Sequence, residues 1–321
     1  MLGTNIAVMD PLRVLTADEG FFTTAEARSA GYGERAISRM VRDGVWVRFR
    51  RGTYAFTDEW RALDTVGRHR VRSNAIMRSH NGHVALSHQS GVIRHRLDSW
   101  GLNLDRVHVT RLDGGPGRIE HDVVHHEGFV ADADLVVVEN QLALSAVRCV
   151  LEAGSRAGNE VALSLFDAGL RGGAYTDRQL VEQFELMEHW PFVRHLHVPV
   201  RMADPRAASV GESRGRWWFS RLGIPAPALQ HEVRDSDGSL IGITDWWWEE
   251  HGVMGEFDGR VKYGRLLKPG QDPGDAVFEE KRREDQLRER TGSSMLRLTW
   301  DDLNHPTDIR TRFDSLARRI G

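Results

Sequence analysis

The stretch at residues 241–262, I-G-I-T-D-W-W-W-E-E-H-G-V-M-G-E-F-D-G-R-V-K, limits the fold more than any other part of the chain. It reads as two short apolar strands joined by a polar turn at 249–252. With Trp248 and Val253 as the last paired residues, Asp245 stands opposite Glu256. Alternation along the strands then puts Ile243, Asp245 and Trp247 on one face with Met254, Glu256 and Asp258. Opposed positions hold their Cβ atoms about 5 Å apart, where two carboxylates repel. Three acids on one face need a cation, a proton or open water. A divalent metal held by Asp245, Glu256 and Asp258 is the expectation. A longer turn would slip the register by one residue, send the acids to opposite faces and remove that need.

The chain has 321 residues, enough for two or three domains with substantial cores. No apolar run approaches the roughly 18 residues of a membrane span, so no membrane partner is expected. The N-terminus M-L-G-T-N-I-A-V-M-D-P lacks a basic region followed by an apolar one, so no secretory signal is expected. The single cysteine, Cys149, excludes an internal disulfide framework and a multi-thiolate zinc site. These features point to a cytoplasmic protein. The net charge of −3 does not announce nucleic acid, but the basic residues are almost all arginine; the lysines are Lys262, Lys268 and Lys281.

Near the N-terminus, Thr23 and Glu26 form a capping-box pattern that opens a short helix stopping near Gly31. A second helix, E-R-A-I-S-R-M-V-R-D, ends at Gly44, with Ile37, Met40 and Val41 as its buried stripe. V-W-V-R-F-R, a turn at Arg51-Gly52 and T-Y-A-F make a tight hairpin. Helix, turn, helix and hairpin is the winged-helix plan. Residues 35–51 carry six arginines, Arg35, Arg39, Arg42, Arg48, Arg50 and Arg51, against one aspartate, a local charge of +5. Such a cluster suits phosphate binding with the second helix in a major groove. Solvated faces of a small domain that docks on a protein are the alternative. The stretch G-F-F-T-T-A-E-A-R-S-A-G-Y-G-E-R-A-I-S-R-M-V-R-D-G-V-W-V-R-F-R-R-G-T-Y-A also resembles the N-terminal winged-helix domain of AbiEi-family antitoxins, over about 40 residues. The resemblance implies binding to the operon's own promoter.

In the middle, a helix is expected at 61–79 and strands around 106–110, 121–126 and 135–138. Helices are expected at 141–153, 159–170 and 176–187, the last with Thr176 as N-cap. Nine of the fifteen histidines fall between His69 and His126. Strand alternation separates His125 from His126, and the spacings match no zinc signature, so surface and structural roles are expected.

In the C-terminal part, Ser209 and Glu212 make another capping box for a helix running to Gly223, with Trp217, Trp218 and Leu222 as its apolar side. A strand at 230–233, a turn at 235–238, the acidic hairpin, a charged helix at 275–290, the strand M-L-R-L-T-W and a terminal helix come next. This order and the motifs G-E-S-R-G-R-W-W-F-S-R-L-G-I-P-A-P-A-L-Q, D-W-W-W, G-E-F-D-G-R-V-K-Y, E-E-K-R-R-E-D-Q-L-R and M-L-R-L-T-W resemble the very-short-patch-repair endonuclease-like domain, of the PD-(D/E)xK superfamily. The likeness covers about 110 residues. It implies that Asp245 and Glu256 hold a divalent metal, Mg²⁺ or Mn²⁺, with Glu212 supporting it from the first helix. Glu212 serves equally well as the second half of the capping box. The superfamily lysine is missing: Asp258 stands there, and Lys262 must reach the phosphate from the strand's end or not at all.

The expected fold is thus α/β and multi-domain: a winged helix-turn-helix at 1–60, a mixed α/β connecting domain at 61–195 and a restriction-endonuclease-like α/β/α domain at 196–321. The leading expectation is a DNA-binding protein whose C-terminal domain cleaves phosphodiesters with Mg²⁺ through Asp245, Glu256, Glu212 and Lys262. The rival is a non-enzymatic antitoxin of a type IV toxin–antitoxin system, repressing its own promoter and partnered by a cognate toxin. A third is a nuclease used against foreign DNA.

Overall fold

The computed structural model describes residues 10–259 and 273–317, with side chains described at 10–259 and 282–317. The chain forms two compact units, Met1–Ala153 and Gly154–Gly321. The division between them, after Ala153, falls inside the segment 61–195 expected as a connecting domain.

The first unit opens with α1 (Pro11–Glu19), β1 (Phe22–Thr23), α2 (Thr24–Ser29), α3 (Glu34–Arg42), β2 (Trp46–Arg50) and β3 (Thr53–Phe56), the strands ordered β1-β3-β2. The expected two helices gain α1, which Asp10 caps by accepting from the Leu12 N–H at 3.0 Å. Thr23 and Glu26 make the reciprocal capping box. An aromatic core holds these elements: Leu12, Phe22, Ile37, Trp46, Tyr54 and Phe56 are buried, with Met40 and Val41 packed against them. Gly20 ends α1 at φ +77°, and a Cβ there would lie 2.5 Å from Val71, so only glycine lets the helix bearing Val71 approach.

That helix joins the winged helix to the second sheet of the unit. The expected helix at 61–79 is instead α4 (Thr57–Ala62) and α5 (Thr65–His80), broken where Asp64 accepts from the Gly67 N–H at 2.7 Å. Phe21 packs on Val71 and Ala75 of α5, and Arg78 pairs with Glu19 and Glu26 at 2.8 and 2.9 Å. Beyond α5 come β4 (Val84–Leu86), α6 (His88–Arg94), β5 (Val107–Arg111), β6 (Arg118–Ile119), β7 (Val123–His126), β8 (Leu135–Val138), β9 (Gln141–Leu144) and α7 (Ala146–Ser155). The sheet order is β6-β7-β5-β4-β9-β8. The helix expected at 141–153 is half strand, because Glu139 and Asn140, at φ +49° and +60°, turn the chain back so that Val138 pairs with Gln141.

The second unit begins with α8 (Asn159–Arg171), α9 (Asp177–Met187) and α10 (His197–Met202), followed by α11 (Val210–Arg221). Arg214 on α11 meets Glu160 on α8 at 2.6 Å, and Arg216 meets the fully buried Asp167 at 2.7 Å. These buried pairs tie the helices before 195 to those after it. A mixed sheet completes the unit: β10 (Ala228–Arg234), β11 (Leu240–Trp248) and β12 (Val253–Asp258) run antiparallel. Then α12 (Pro273–Thr291) crosses over to β13 (Ser294–Thr299), parallel to β12, before α13 (Trp300–Asn304) and α14 (Ile309–Ala317). The main core joins Phe219, Trp246, Trp248, Val253, Phe257, Leu296, Leu298 and Phe313. Gly211, Gly215 and Phe219 are the buried residues of α11 on this core; of the expected apolar side, Trp218 and Leu222 pack against it while partly buried, and Trp217 is half-buried. The two glycines let the helix approach the sheet: a Cβ on Gly211 would lie 2.1 Å from Phe257, and on Gly215 2.4 Å from Trp246.

Candidate functional site

On α3, Arg35, Arg39 and Arg42 follow the spacing i, i+4, i+7 on the side opposite buried Ile37, and all three are exposed. Arg42 lies 3.6 Å from Asp43, a surface pair of small energetic weight. Arg48 and Arg51 are exposed on the β2–β3 hairpin, whose turn Gly52 makes at φ +71°. Arg50 differs from the others. It is only half-exposed and lies 3.5 Å from Asp122, so its charge is already partly compensated. Five of the six expected arginines thus present a cationic surface on one helix and one wing, an arrangement suited to phosphates flanking a groove.

The acidic hairpin adopts the expected register, with Trp248 opposite Val253 and Trp246 opposite Gly255. A short 3₁₀ turn at Glu249–His251 and Gly252 at φ +55° make the reversal. Pairing stops at Trp246, where the strands part, and Asp245 spans the opening by accepting from the Phe257 N–H at 2.7 Å. Glu212, buried at the start of α11, accepts from Ala208 N–H and Ser209 Oγ, both at 2.8 Å. Gln230, at φ +50° on β10, donates to Glu212 at 2.9 Å and to Asp245 at 3.4 Å. Ser209 is the N-cap of α11, and Glu212 answers it through the Ser209 hydroxyl and the Ala208 N–H rather than the Ser209 N–H of a reciprocal box, while also neighbouring Asp245 through Gln230.

Glu256 has a different environment. Arg283 of α12 reaches it at 2.8 Å and Arg297 of β13 at 3.5 Å, and Arg297 also holds Glu284 at 2.6 Å. The cation that the crowded face requires is thus supplied, at Glu256, by the chain's own guanidinium groups. Among the described residues, Glu212, Asp245, Glu256 and Asp258 do not form a group of three whose ligand oxygens all lie within 4.8 Å of one another. Asp258 is half-buried at the end of β12, and Lys262 lies outside the described residues. Trp246 and Trp248 are core residues, while Trp247 stacks on His231 with ring centroids 5.1 Å apart.

Sequence reasoning missed Gln230, Arg283 and Arg297. Arg283 was within reach, since it lies one helical turn before the buried Leu287 and so shares the sheet-facing side of α12. Gln230 carries no such signal, because its role depends on a left-handed backbone angle within a strand.

Burial first, and the Asp245 charge second, raise the Glu212 carboxyl above its ordinary value of 4.5. A carboxyl raised on folding destabilises the native state when ionised. That cost is complete above the folded pKa and relieved as pH falls toward 4.5. Asp245→Asn keeps an oxygen for the Phe257 N–H and removes the neighbouring charge. Glu212 is then expected to titrate at lower pH, and the stability lost on raising the pH from about 4.5 to neutrality to shrink. Carboxyl ¹³C NMR titration reads this directly. An unmoved Glu212 midpoint in Asp245→Asn would show that the two acids are not coupled.

Residues 12–57 match the family described as "Transcriptional regulator, AbiEi antitoxin". No curated protein matches the chain. Among solved structures, the RV2827C protein from Mycobacterium tuberculosis aligns at 15% identity over 67% of this chain and 83% of that one, with a TM-score of 0.35. No described helix is long and apolar enough to cross a membrane. The N-terminal part of the chain, where α3 carries its arginine stripe, thus bears a domain of the AbiEi antitoxin transcriptional-regulator type.

Proposed function

We propose that the protein represses its own promoter, as an antitoxin-type regulator working in the cytoplasm and paired with a cognate toxin protein. The exposed stripe Arg35, Arg39, Arg42 on α3 of the matched domain carries this reading. In it, α3 enters a major groove, and Arg48 and Arg51 of the wing contact the phosphate backbone. Fluorescence anisotropy with duplexes tiling the region upstream of the gene tests the proposal. Tight binding to one duplex over scrambled controls is expected, weakening steeply with salt. Equal, weak binding to all duplexes at physiological salt would sink it.

A second reading concerns residues 196–321, where helix, three antiparallel strands, crossover helix and parallel strand bring Glu212 and Asp245 together through Gln230. We propose this as a nuclease-like domain for DNA. The all-oxygen donor set of Glu212, Asp245, Glu256 and Asp258 has the chemistry of an Mg²⁺ or Mn²⁺ site, and such an ion would activate water and stabilise phosphate charge. An ion at Glu256 would have to exchange with Arg283. Plasmid nicking in Mg²⁺ or Mn²⁺, lost at least about 100-fold in Asp245→Ala, is the expected result. Absence of nicking by the wild type, or equal nicking by the variant, removes this reading and leaves the regulator untouched.

A further inference from the structure

Three histidines of the first unit converge, although nothing in their spacing announces it. His88 opens α6, His108 lies on β5 and His126 ends β7. Strands β5 and β7 are parallel neighbours with Thr110 opposite His126, so His108 and His126 point to the same side. Alternation sends His125 to the other side, where its ring lies 5.1 Å from His80. The separation of His125 from His126 expected from sequence thus holds, but each finds a different partner. One ring nitrogen from each of His88, His108 and His126 lies within 4.8 Å of the other two.

We propose that His88, His108 and His126 form a binding site for a divalent transition-metal cation of the Zn²⁺ class. His108 Nδ1 and His126 Nε2 are 2.9 Å apart, whereas the rings of His88 and His126 stack with centroids 3.7 Å apart, so one of the two must turn about its Cβ–Cγ bond for both in-plane lone pairs to meet an ion. Zn–N bonds of about 2.0–2.1 Å in a tetrahedron place ligand nitrogens about 3.3 Å apart, within the range spanned here. Two ring nitrogens at hydrogen-bond distance share one proton, and a cation takes that proton's place, releasing it to solvent.

The surroundings favour a cation and orient His88, while His108 Nε2 lies 2.8 Å from the Gln89 amide nitrogen. His88 Nδ1 lies 3.2 Å from Oε2 of the buried Glu152 and 3.1 Å from Ser87 Oγ, so Nε2 is the nitrogen it offers. A carboxylate behind a ligating imidazole sets its tautomer and orientation. Arg148 pairs with both Glu152, at 3.0 Å, and Asp134, at 2.5 Å. Glu152 and Asp134 thus bring carboxylates close to the histidine cluster, a surrounding that favours a cation. His88 is held at φ +48°, a conformation a side chain adopts at a cost and commonly at functional sites. His108 and His126 are half-buried, which leaves a path from solvent. Imidazole nitrogens suit Zn²⁺, Co²⁺ or Ni²⁺ and not Mg²⁺ or Ca²⁺, so this site is chemically distinct from the acidic one.

The test uses the full chain, stripped with a chelator and titrated with Zn²⁺ against a chromophoric competitor, and with Co²⁺ followed by its visible absorption. One tightly bound Zn²⁺ per chain is expected, weakened at least about tenfold in His108→Ala and in His126→Ala. His108→Gln serves as a further variant where alanine lowers the melting temperature. Zinc uptake that is absent from the wild type, or equal in wild type and variants, overturns the proposal.

Discussion

Replacing Arg35 and Arg39 by glutamate is expected to abolish specific DNA binding while leaving the fold intact. Both side chains are exposed on α3 and face away from Ile37, so neither supports the aromatic core beneath. Exposed substitutions of this kind change stability by about 0.5 kcal/mol or less. Arg35 sits in the first turn of α3, where a carboxylate is favoured by the helix dipole, and this offsets the unfavourable carboxylate at Arg39 in the last turn. A hydrogen bond to a charged phosphate contributes about 1.5–3 kcal/mol. Losing two such contacts predicts a fall in affinity of at least about 100-fold, and charge reversal adds repulsion from neighbouring phosphates. The dependence of log affinity on log salt should flatten by about two, near 0.9 for each phosphate contact removed. Anisotropy titrations between low and physiological salt measure both quantities. Arg50→Ala is the internal control: paired with Asp122, it should weaken binding less than Arg48→Ala or Arg51→Ala. Unchanged affinity and salt slope in the double glutamate variant would take DNA recognition away from α3.

In the second unit, Trp246→Ala is expected to cost about 3–5 kcal/mol. The side chain is fully buried and packs edge-on against Phe219, with ring centroids 4.9 Å apart and planes at 87°. Its indole Nε1 makes no hydrogen bond among the described residues, so packing holds it there. Gly215 and Gly255 flank the ring: a Cβ on either would lie 2.4 or 2.9 Å from it. This gives a sharper test than the cavity alone. In an open helix, Gly→Ala gains about 1 kcal/mol from backbone propensity. Gly215→Ala should instead destabilise by about 1–3 kcal/mol, because the methyl group overlaps the indole. In the Trp246→Ala background the overlap disappears and the same substitution should turn neutral or stabilising, a coupling that a double-mutant cycle isolates. Hydrogen exchange in peptides covering 210–221 and 240–258 reads the effect locally, as suits a chain of two units whose unfolding need not be two-state. Additive effects of the two substitutions would show that α11 does not rest on Trp246.

The local parts of the fold were legible in the residues. Thr23, Thr176 and Ser209 cap the helices expected of them, because a cap needs only a side chain and a backbone N–H two or three residues away. The register of the acidic hairpin was legible for the same reason: alternation has a period of two, and Gly252 accepts the left-handed turn. The arginine stripe of α3 came from helical periodicity. The misread segments were those where a tertiary partner overrode local pattern. Residues 141–144 were read as helix and became strand because Leu86 and Val136 offer ladder partners on either side of Ala143.

Which side chains share a face is written in the order of the residues: the acids of the hairpin, the arginines of α3, and the parting of His125 from His126. The surroundings of those faces come from the packing of distant elements. The order of the strands sets His108 beside His126, and α6 carries His88 to them from earlier in the chain. The crossover helix α12 brings Arg283 onto Glu256, and a left-handed Gln230 joins Glu212 to Asp245. The reason is physical. Periodicity acts over a few residues of one element, whereas charge compensation and ligand convergence depend on which elements pack together, and that is settled by burial over the whole unit.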